Sequence, residues 1–492
     1  MWNIQARVVV LGAIGVMAAS AQAVKIRWDK VERVSNTTPT LQVVVNPPLR
    51  RGSAIHDRVF ADLHKFGFDY VRYVPWLPYP KLGVAELEPP SGGKTSWDFT
   101  LIDPLTLDFL NAQKGHSVVL NFSTIPAWMW KTPKPVTYPR DPNQVTWDYT
   151  QGSELRDPSG KEVADYYARL VSWYVDGGFT DELGQRHESG HHYKIDYWEV
   201  LNEVDFEHNM SPRTYTTIYD ATVAAIHKVS PQTKFVALAL AAPSSNPAIF
   251  EYFLNPKNHK PGTPLDMISY HFYAVPAADE TPEVQQHTFF DQADRFLTTV
   301  RYVENIRSRL SPGTKTDTNE LGSISADDGE QGTPGHVVKP IPDSYWHLAG
   351  SLYAYLFGQL TELGIDVAGE SQLVGYPTQY PSVSMVDWNT GAPNPRYRVL
   401  ELLKDNFVPG DKVISADSGS SYIYALAFIS RDGTHKLLLV NKRDRSFELT
   451  LPQPARRLEV VNRTNGNGPP AKSSPNSDRL QLQPQEVAVL TF

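Results

Sequence analysis

Cysteine is absent from all 492 residues. Disulfides, thiolate metal sites, iron–sulfur clusters and cysteine nucleophiles are therefore excluded. A basic excess is missing too. The chain holds 46 Lys and Arg against 54 Asp and Glu, a formal charge of −8, whereas a dedicated nucleic-acid binder carries a basic face. Apolar stretches of membrane-spanning length, about 20 residues, are lacking. One run of 12 residues, 8–19, stands out but falls short. A phosphate-binding turn is also missing: Gly92-Gly93-Lys94-Thr95 has its ending, but Glu88 occupies the position of the required first glycine. No repeat with a period of 20–50 residues is present.

What the chain does have begins at its N-terminus. Arg7, the apolar run 8–19 and Ala21-Gln22-Ala23 follow the order of a secretory leader with a small-x-small cleavage site. The expectation is a signal peptide over 1–23 and a mature chain exported to the periplasm or beyond. Hydrophobic residues make up 41% of the chain and include 11 Trp, 24 Tyr and 20 Phe. That supply permits a large core and excludes a disordered chain.

From residue 40 to 405, short apolar β-type runs alternate with stretches of helical period. The runs are 41–46, 68–74, 117–122, 195–201, 234–240, 267–272, 316–319 and 365–368. Between them, Leu348, Leu352, Leu356, Leu360 and Leu363 share one helix face, as do Phe296, Val300, Val303, Ile306 and Leu310. Eight alternations predict a (β/α)₈ barrel over 24–408, and the missing phosphate turn argues against a doubly wound sheet. After residue 409 helical period vanishes. Short strand-like runs separated by turns such as Arg431-Asp432-Gly433 predict a small antiparallel β-sandwich over 409–492. Residues 24–38 are expected to pair either with the first barrel strand or with the sandwich.

Barrel enzymes carry their chemistry at the carboxyl ends of the strands. The fourth strand ends Trp198-Glu199-Val200-Leu201-Asn202-Glu203, and the seventh ends Asp317-Thr318-Asn319-Glu320. Two glutamates facing each other across a barrel mouth suit glycoside hydrolysis, which needs one carboxylic acid to protonate the leaving oxygen and one carboxylate on the other face. His271 and Tyr273 end the sixth strand at the same mouth, and Arg72 on the second can hold a carboxylate ionised. Trp128 and Trp130 follow the third strand. They and Trp388 either pack or offer flat faces to sugar rings. Glu199 shares side-chain parity with Glu203 and reads as a deeper structural residue. Asp205 and Glu207 read as loop. Glu370, ending strand eight, either binds a sugar hydroxyl or is structural.

Trp-Glu-Val-Leu-Asn-Glu after one strand and Thr-Asn-Glu-Leu-Gly after another resemble the clan A retaining glycosidases. Within that clan the chain is most similar to glycoside hydrolase family 39, which contains β-xylosidases, α-L-iduronidases and some exopolysaccharide endoglycosidases. The resemblance implies Glu203 as acid/base and Glu320 as nucleophile. It implies that Asn202 binds the sugar 2-hydroxyl, that Tyr273 and Arg72 hold Glu320, and that His271 lies near the reacting sugar. Val204 replaces the proline that usually follows Asn-Glu in the clan. A carboxyl separation of about 5–5.5 Å is expected for such a site. An oligosaccharide or polysaccharide substrate is implied, and no metal or organic cofactor. The leading activity is exo-β-xylosidase-like. Its rivals are an endo-acting exopolysaccharide hydrolase and a non-catalytic carbohydrate-binding barrel. A zinc hydrolase using His187, Glu188 and His191 is a further rival, because these residues match H-E-x-x-H. Gly177, Gly178, Gly184 and Gly190 break any helix there, so that segment is expected to be a loop that cannot place both imidazoles on one face.

Overall fold

The computed structural model describes residues 22–147, 152–333 and 335–492. The predicted signal segment lies outside these residues apart from Gln22 and Ala23. Eight parallel strands close into a barrel: β1 Thr38–Val44, β2 Val71–Val74, β3 Val118–Leu120, β4 Tyr197–Glu199, β5 Lys234–Leu240, β6 Met267–Ala274, β7 Lys315–Ser323 and β8 Val367–Glu370. Each strand pairs with its sequence neighbour, and β8 pairs with β1 to close the ring. Strands covered on both faces need apolar side chains on both. β5 meets that with Phe235, Val236, Ala237, Leu238, Ala239 and Leu240, all buried.

Eight helices cover the ring: α1 His56–Phe66, α2 Ile102–Ala112, α3 Lys161–Val175, α4 Pro212–Val229, α5 Ala248–Phe253, α6 Pro282–Leu310, α7 Asp343–Leu363 and α8 Pro395–Asn406. Their ends carry recognisable signals. Ser211 caps α4 by accepting from the Thr214 N–H, and Pro212 follows at the first helical position. Gly67 ends α1 in the left-handed region at φ 55°, where an added Cβ would meet the His116 ring at 2.5 Å. The single-face patterns seen in the sequence are buried: Phe296, Val300, Val303 and Ile306 on α6, and Leu348, Leu352, Leu356 and Leu360 on α7.

The C-terminal region is a seven-stranded antiparallel sheet facing a three-stranded one. Leu437, Leu439, Leu449, Leu480, Leu482 and Leu490 form their shared core. The edge of the larger sheet is Lys25–Val34, paired antiparallel with Lys412–Asp417. Residues 25–34 therefore belong to the sheet domain, not to the barrel. Gln22–Ala23 pair in parallel with Phe447–Thr450 in the smaller sheet. Phe407, just past α8, packs on Phe428 at 4.3 Å, and the Asp444 N–H donates to Gln286 of α6 at 2.7 Å. The two regions thus share a core and polar contacts.

The H-E-x-x-H segment departs from the expected loop. Arg186–Glu188 forms a hairpin with Gly178–Thr180. His187 bonds Asp181 at 2.9 Å, and His191 bonds Asp103 at 3.2 Å. The two imidazoles are committed to different carboxylates, and a zinc site does not form there.

Candidate active site

Strand register brings the predicted polar residues to one level. Gln42 lies beside Arg72, and His271 beside Glu320. Between β6 and β7 the register shifts, so that Ser269 pairs with Asp317 but His271 with Glu320. Such bulges re-aim side chains. Here the shift lets Asn319 and Glu320, adjacent in sequence, both reach the barrel interior. The backbone after β4 is strained as well: Leu201 and Glu203 sit at φ 63° and 43°. Non-glycine residues held there cost about 1–3 kcal/mol each and cluster at functional sites. The Glu203 N–H donates to the Ala239 carbonyl at 2.8 Å and fixes that turn.

Arg72 is the hub. Its buried guanidinium donates to Glu199 (2.5 Å), Gln42 (2.8 Å), Glu320 (2.5 Å) and Asn202 (2.6 Å). Glu199 also accepts from Asn121, Ser269 and Asn319 at 2.5, 2.6 and 2.7 Å, the role of a structural anchor beneath the mouth. Glu320 has both oxygens held, Oε1 by Arg72 and Oε2 by the Tyr273 hydroxyl at 2.6 Å. Ser371, shared by Tyr273 and Gln42 at 2.5 Å each, ties β8 into the network. His271 Nδ1 lies 2.9 Å from Glu203 Oε1 and 3.5 Å from Glu320 Oε2. One oxygen of each glutamate and a nitrogen of His271 lie within 4.8 Å of one another.

The two carboxyls are tuned in opposite directions. Burial pushes Glu203 above the usual carboxylate range. His271 pulls it back, and the negative charge of Glu320 adds to the rise. Burial acts on Glu320 in the same sense but is outweighed by the His271 and Arg72 charges and the Tyr273 hydrogen bond, so Glu320 lies below its ordinary value. His271 itself is raised: burial opposes its charge, but the two glutamates prevail. This is the pattern of one acid and one anion across a shared site.

A cavity of about 370 Å³ opens above these groups. Gln42, Trp76, Asn202, Glu203, Tyr273, Glu320, Gln372 and Tyr380 supply its polar and aromatic wall. Val44, Val74, Val383, Ile324 and the 76% exposed Phe206 supply the apolar part. Arg72 and His271 stand behind the wall. Two predicted residues lie elsewhere. The Trp128 indole donates to the Glu86 carbonyl at 3.0 Å, its ring lies under Arg156, and it does not line the cavity. Glu370 is fully buried and bonded to Arg396 at 2.9 Å, which makes it structural. Trp130 stacks on His208 at 4.5 Å, and Trp388 lines a separate groove of about 1030 Å³. Sequence reasoning missed Gln42, Trp76, Glu207, Gln372 and Tyr380. Only Gln42 had a local signal, as the polar residue alternating with buried Leu41 and Val43.

No protein-family model and no curated protein sequence matches the chain. Solved structures do match. A family 51 arabinofuranosidase from Xanthomonas axonopodis pv. citri superposes with a TM-score of 0.65 at 12% identity, covering 96% of this chain and 99% of that one. An α-L-arabinofuranosidase from Thermotoga maritima gives 0.60 at 12%, covering 96% and 100%. A family 30 endoxylanase from Clostridium papyrosolvens gives 0.57 at 13%, covering 95% and 99%. The chain shares its fold with these glycoside hydrolases, and that fold is a (β/α)₈ barrel with a β-sandwich domain.

Proposed function

We propose that the protein is a retaining glycoside hydrolase in which Glu203 is the acid/base and Glu320 the nucleophile. The observation that carries this is the pair itself: two carboxyl oxygens within 4.8 Å, oppositely tuned, under one cavity. Retaining enzymes keep their carboxyls about 5–5.5 Å apart, and inverting ones about 6.5–9.5 Å to admit a water. In the first step a Glu320 oxygen attacks the anomeric carbon as Glu203 protonates the departing oxygen. In the second, Glu203 takes a proton from water, which displaces Glu320 and frees the sugar. Tyr273 and Arg72 hold Glu320 in place, and Asn202 offers an N–H to the substrate.

The substrate reading is a neutral pentose released from a chain end, with a β-xyloside as the best candidate. Among the described residues lining the cavity none is Lys or Arg, so a uronate carboxylate would lack a counter-charge. The apolar valines and Ile324 suit a ring without an extra hydroxymethyl group. Fold relatives named as arabinofuranosidases and an endoxylanase are in keeping with this reading, while others named as a glucosidase and a glucanase-xylanase are in keeping with a hexose. The family 39 motif likeness and the family 51 and 30 fold likeness agree at the level of the clan. An endo-acting reading draws on the broad groove that starts at Gln331, which accepts the Tyr380 N–H at 2.5 Å beside the cavity. Export by residues 1–23 remains part of the proposal, tested by whether a reporter fused behind them is secreted.

The deciding experiment assays the purified protein on aryl glycosides and β-linked polysaccharides, with Glu320→Ala as control. Release of one pentose from an aryl glycoside supports the exo reading. Polysaccharide cleavage alone supports the endo reading. Inactivity of folded wild type on both overturns the hydrolase.

A further inference from the structure

Glu207 sits four residues beyond the acid/base position, and its carboxyl is buried. Its Oε1 accepts two hydrogen bonds, from Asn202 Nδ2 at 2.9 Å and from Trp76 Nε1 at 2.6 Å. Both donors belong to residues that line the cavity. Asn202 Oδ1 accepts from Arg72, which can only donate, so the orientation of its amide is determined. One Asn202 N–H goes to Glu207, which leaves the other for the cavity. Arg72 binds Asn202 and Glu320 with adjacent nitrogens, so this amide lies beside the nucleophile. With Glu320 attacking the anomeric carbon, as proposed above, the sugar group that this amide would meet is the hydroxyl on the neighbouring carbon. Hydrogen bonds to that hydroxyl strengthen in the transition state of glycoside cleavage.

We infer that Glu207 is a positioning residue: its Oε1 holds the Asn202 amide so that the second N–H of Asn202 points at the 2-hydroxyl of the reacting sugar. This rests on the glycosidase reading above. The other half of the Glu207 carboxyl shows how it does so without adding a charge. Oε2 has no hydrogen-bond partner and lies 3.8 Å from His208 Nε2, which has none either. His208 Nδ1 donates to the Gly152 carbonyl at 3.0 Å, so Nε2 of the neutral ring presents a lone pair to Glu207. A carboxylate oxygen facing that lone pair would be repelled, whereas a carboxylic O–H is matched to it. The surrounding charges agree. Burial and the neighbouring Glu203 push Glu207 up to about 8, with Glu320 adding to the rise, and burial pulls His208 down to about 4. Arg72 reaches Glu207 only through Asn202. A neutral acid can therefore orient the amide without repelling the anion at Glu320.

The test compares wild type, Glu207→Leu and Glu207→Gln on an aryl glycoside and on its 2-deoxy counterpart. Wild-type turnover that is lost in Glu320→Ala must come first; its absence would count against the hydrolase reading, not against Glu207. With turnover present, Glu207→Leu is expected to lower kcat/KM on the 2-hydroxy substrate by about ten- to a hundredfold. On the 2-deoxy substrate it should lower it by less than about threefold. Glu207→Gln, which mimics the protonated acid, should recover most of the loss on the 2-hydroxy substrate. Glu207→Asp, which withdraws the oxygen by one methylene, carries the same comparison where Glu207→Leu does not fold. Equal losses on both substrates, or a glutamine variant as impaired as the leucine one, would overturn the inference.

Discussion

The barrel interior and the sandwich interior are both closed to water, yet they are built from different materials. Beneath the barrel mouth Arg72, Glu199, Asn121, Ser269 and Asn319 are buried together and bonded to one another. The space between the two C-terminal sheets is filled with leucine, isoleucine, alanine and phenylalanine. Burying polar groups is costly unless they are paired, and an apolar filling of equal volume is often at least as stable. A chain that keeps the polar filling in one region and the cheap apolar one in the other uses the first region for something besides stability. The joint dependence of Glu199, Gln42, Asn202 and Glu320 on one guanidinium fits the function proposed above: the network fixes the Glu320 carboxyl and the Asn202 amide at the mouth of the barrel.

The comparison can be broken by substitution in each region. Glu320→Ala should lower kcat by about a thousandfold or more; a drop below tenfold would remove Glu320 from the chemistry. Arg72→Met should reduce both rate and stability, the latter by about 3–5 kcal/mol, because it leaves Glu199 buried without its cation. Urea unfolding and steady-state kinetics on one preparation measure both. Leu439→Ala, in the sandwich core, should cost about 2–5 kcal/mol while leaving kcat within error at temperatures where the variant is folded. A matching loss of rate would mean that the two interiors are not separable.

The smallest effect sharpens the contrast through pH. Glu86 and Glu207 have carboxyls pushed up to about 9 and 8, both chiefly by burial. In the unfolded chain such groups release their protons near pH 4.3. Through these two groups the folded chain binds more protons than the unfolded one from about pH 4 up to about pH 9, and stability falls as pH rises through that range. Above pH 7 the buried His208 and His347, pulled down to about 4 by burial, are neutral when folded and mostly neutral when unfolded. They do not mask the trend there. The melting temperature should be lower at pH 8.5 than at pH 7, and Glu86→Gln with Glu207→Gln should flatten that slope.

The barrel was legible because its signals are local. Each strand is a short apolar run, each helix a one-sided pattern, and the eight expected runs overlap the eight observed strands. Ends were less legible where pairing continues through small or polar residues: β7 runs on to Ser323, past the expected end at 319. The strand Lys25–Val34 was legible in part: charge alternates with Ile26 and Trp28 as in a half-covered strand, and pairing with the sandwich was one of its two expected outcomes, but which sheet it joins depends on a partner about 380 residues away. Glu203, Glu320, Asn202, Arg72, His271 and Tyr273 could be singled out from their places at strand ends. Glu207 and Trp76 could not. They meet across 131 positions of sequence, and neither has a period or a motif to mark it. Trp128 shows the converse: a tryptophan placed after a strand by sequence can still turn away from the mouth.

The edge strand Lys25–Val34 has a consequence for anyone who would rearrange this protein. The last domain in the chain borrows its outermost strand from the first residues of the structure, so the sandwich is not a contiguous cassette. A cut near residue 409 would free the barrel but leave ten residues at its front without their partner, still presenting an unpaired ladder. Swapping this domain for another, or circularly permuting the chain between its two ends, has to move residues 25–34 together with the C-terminal strands. The seam between modules runs through two places in the gene, not one.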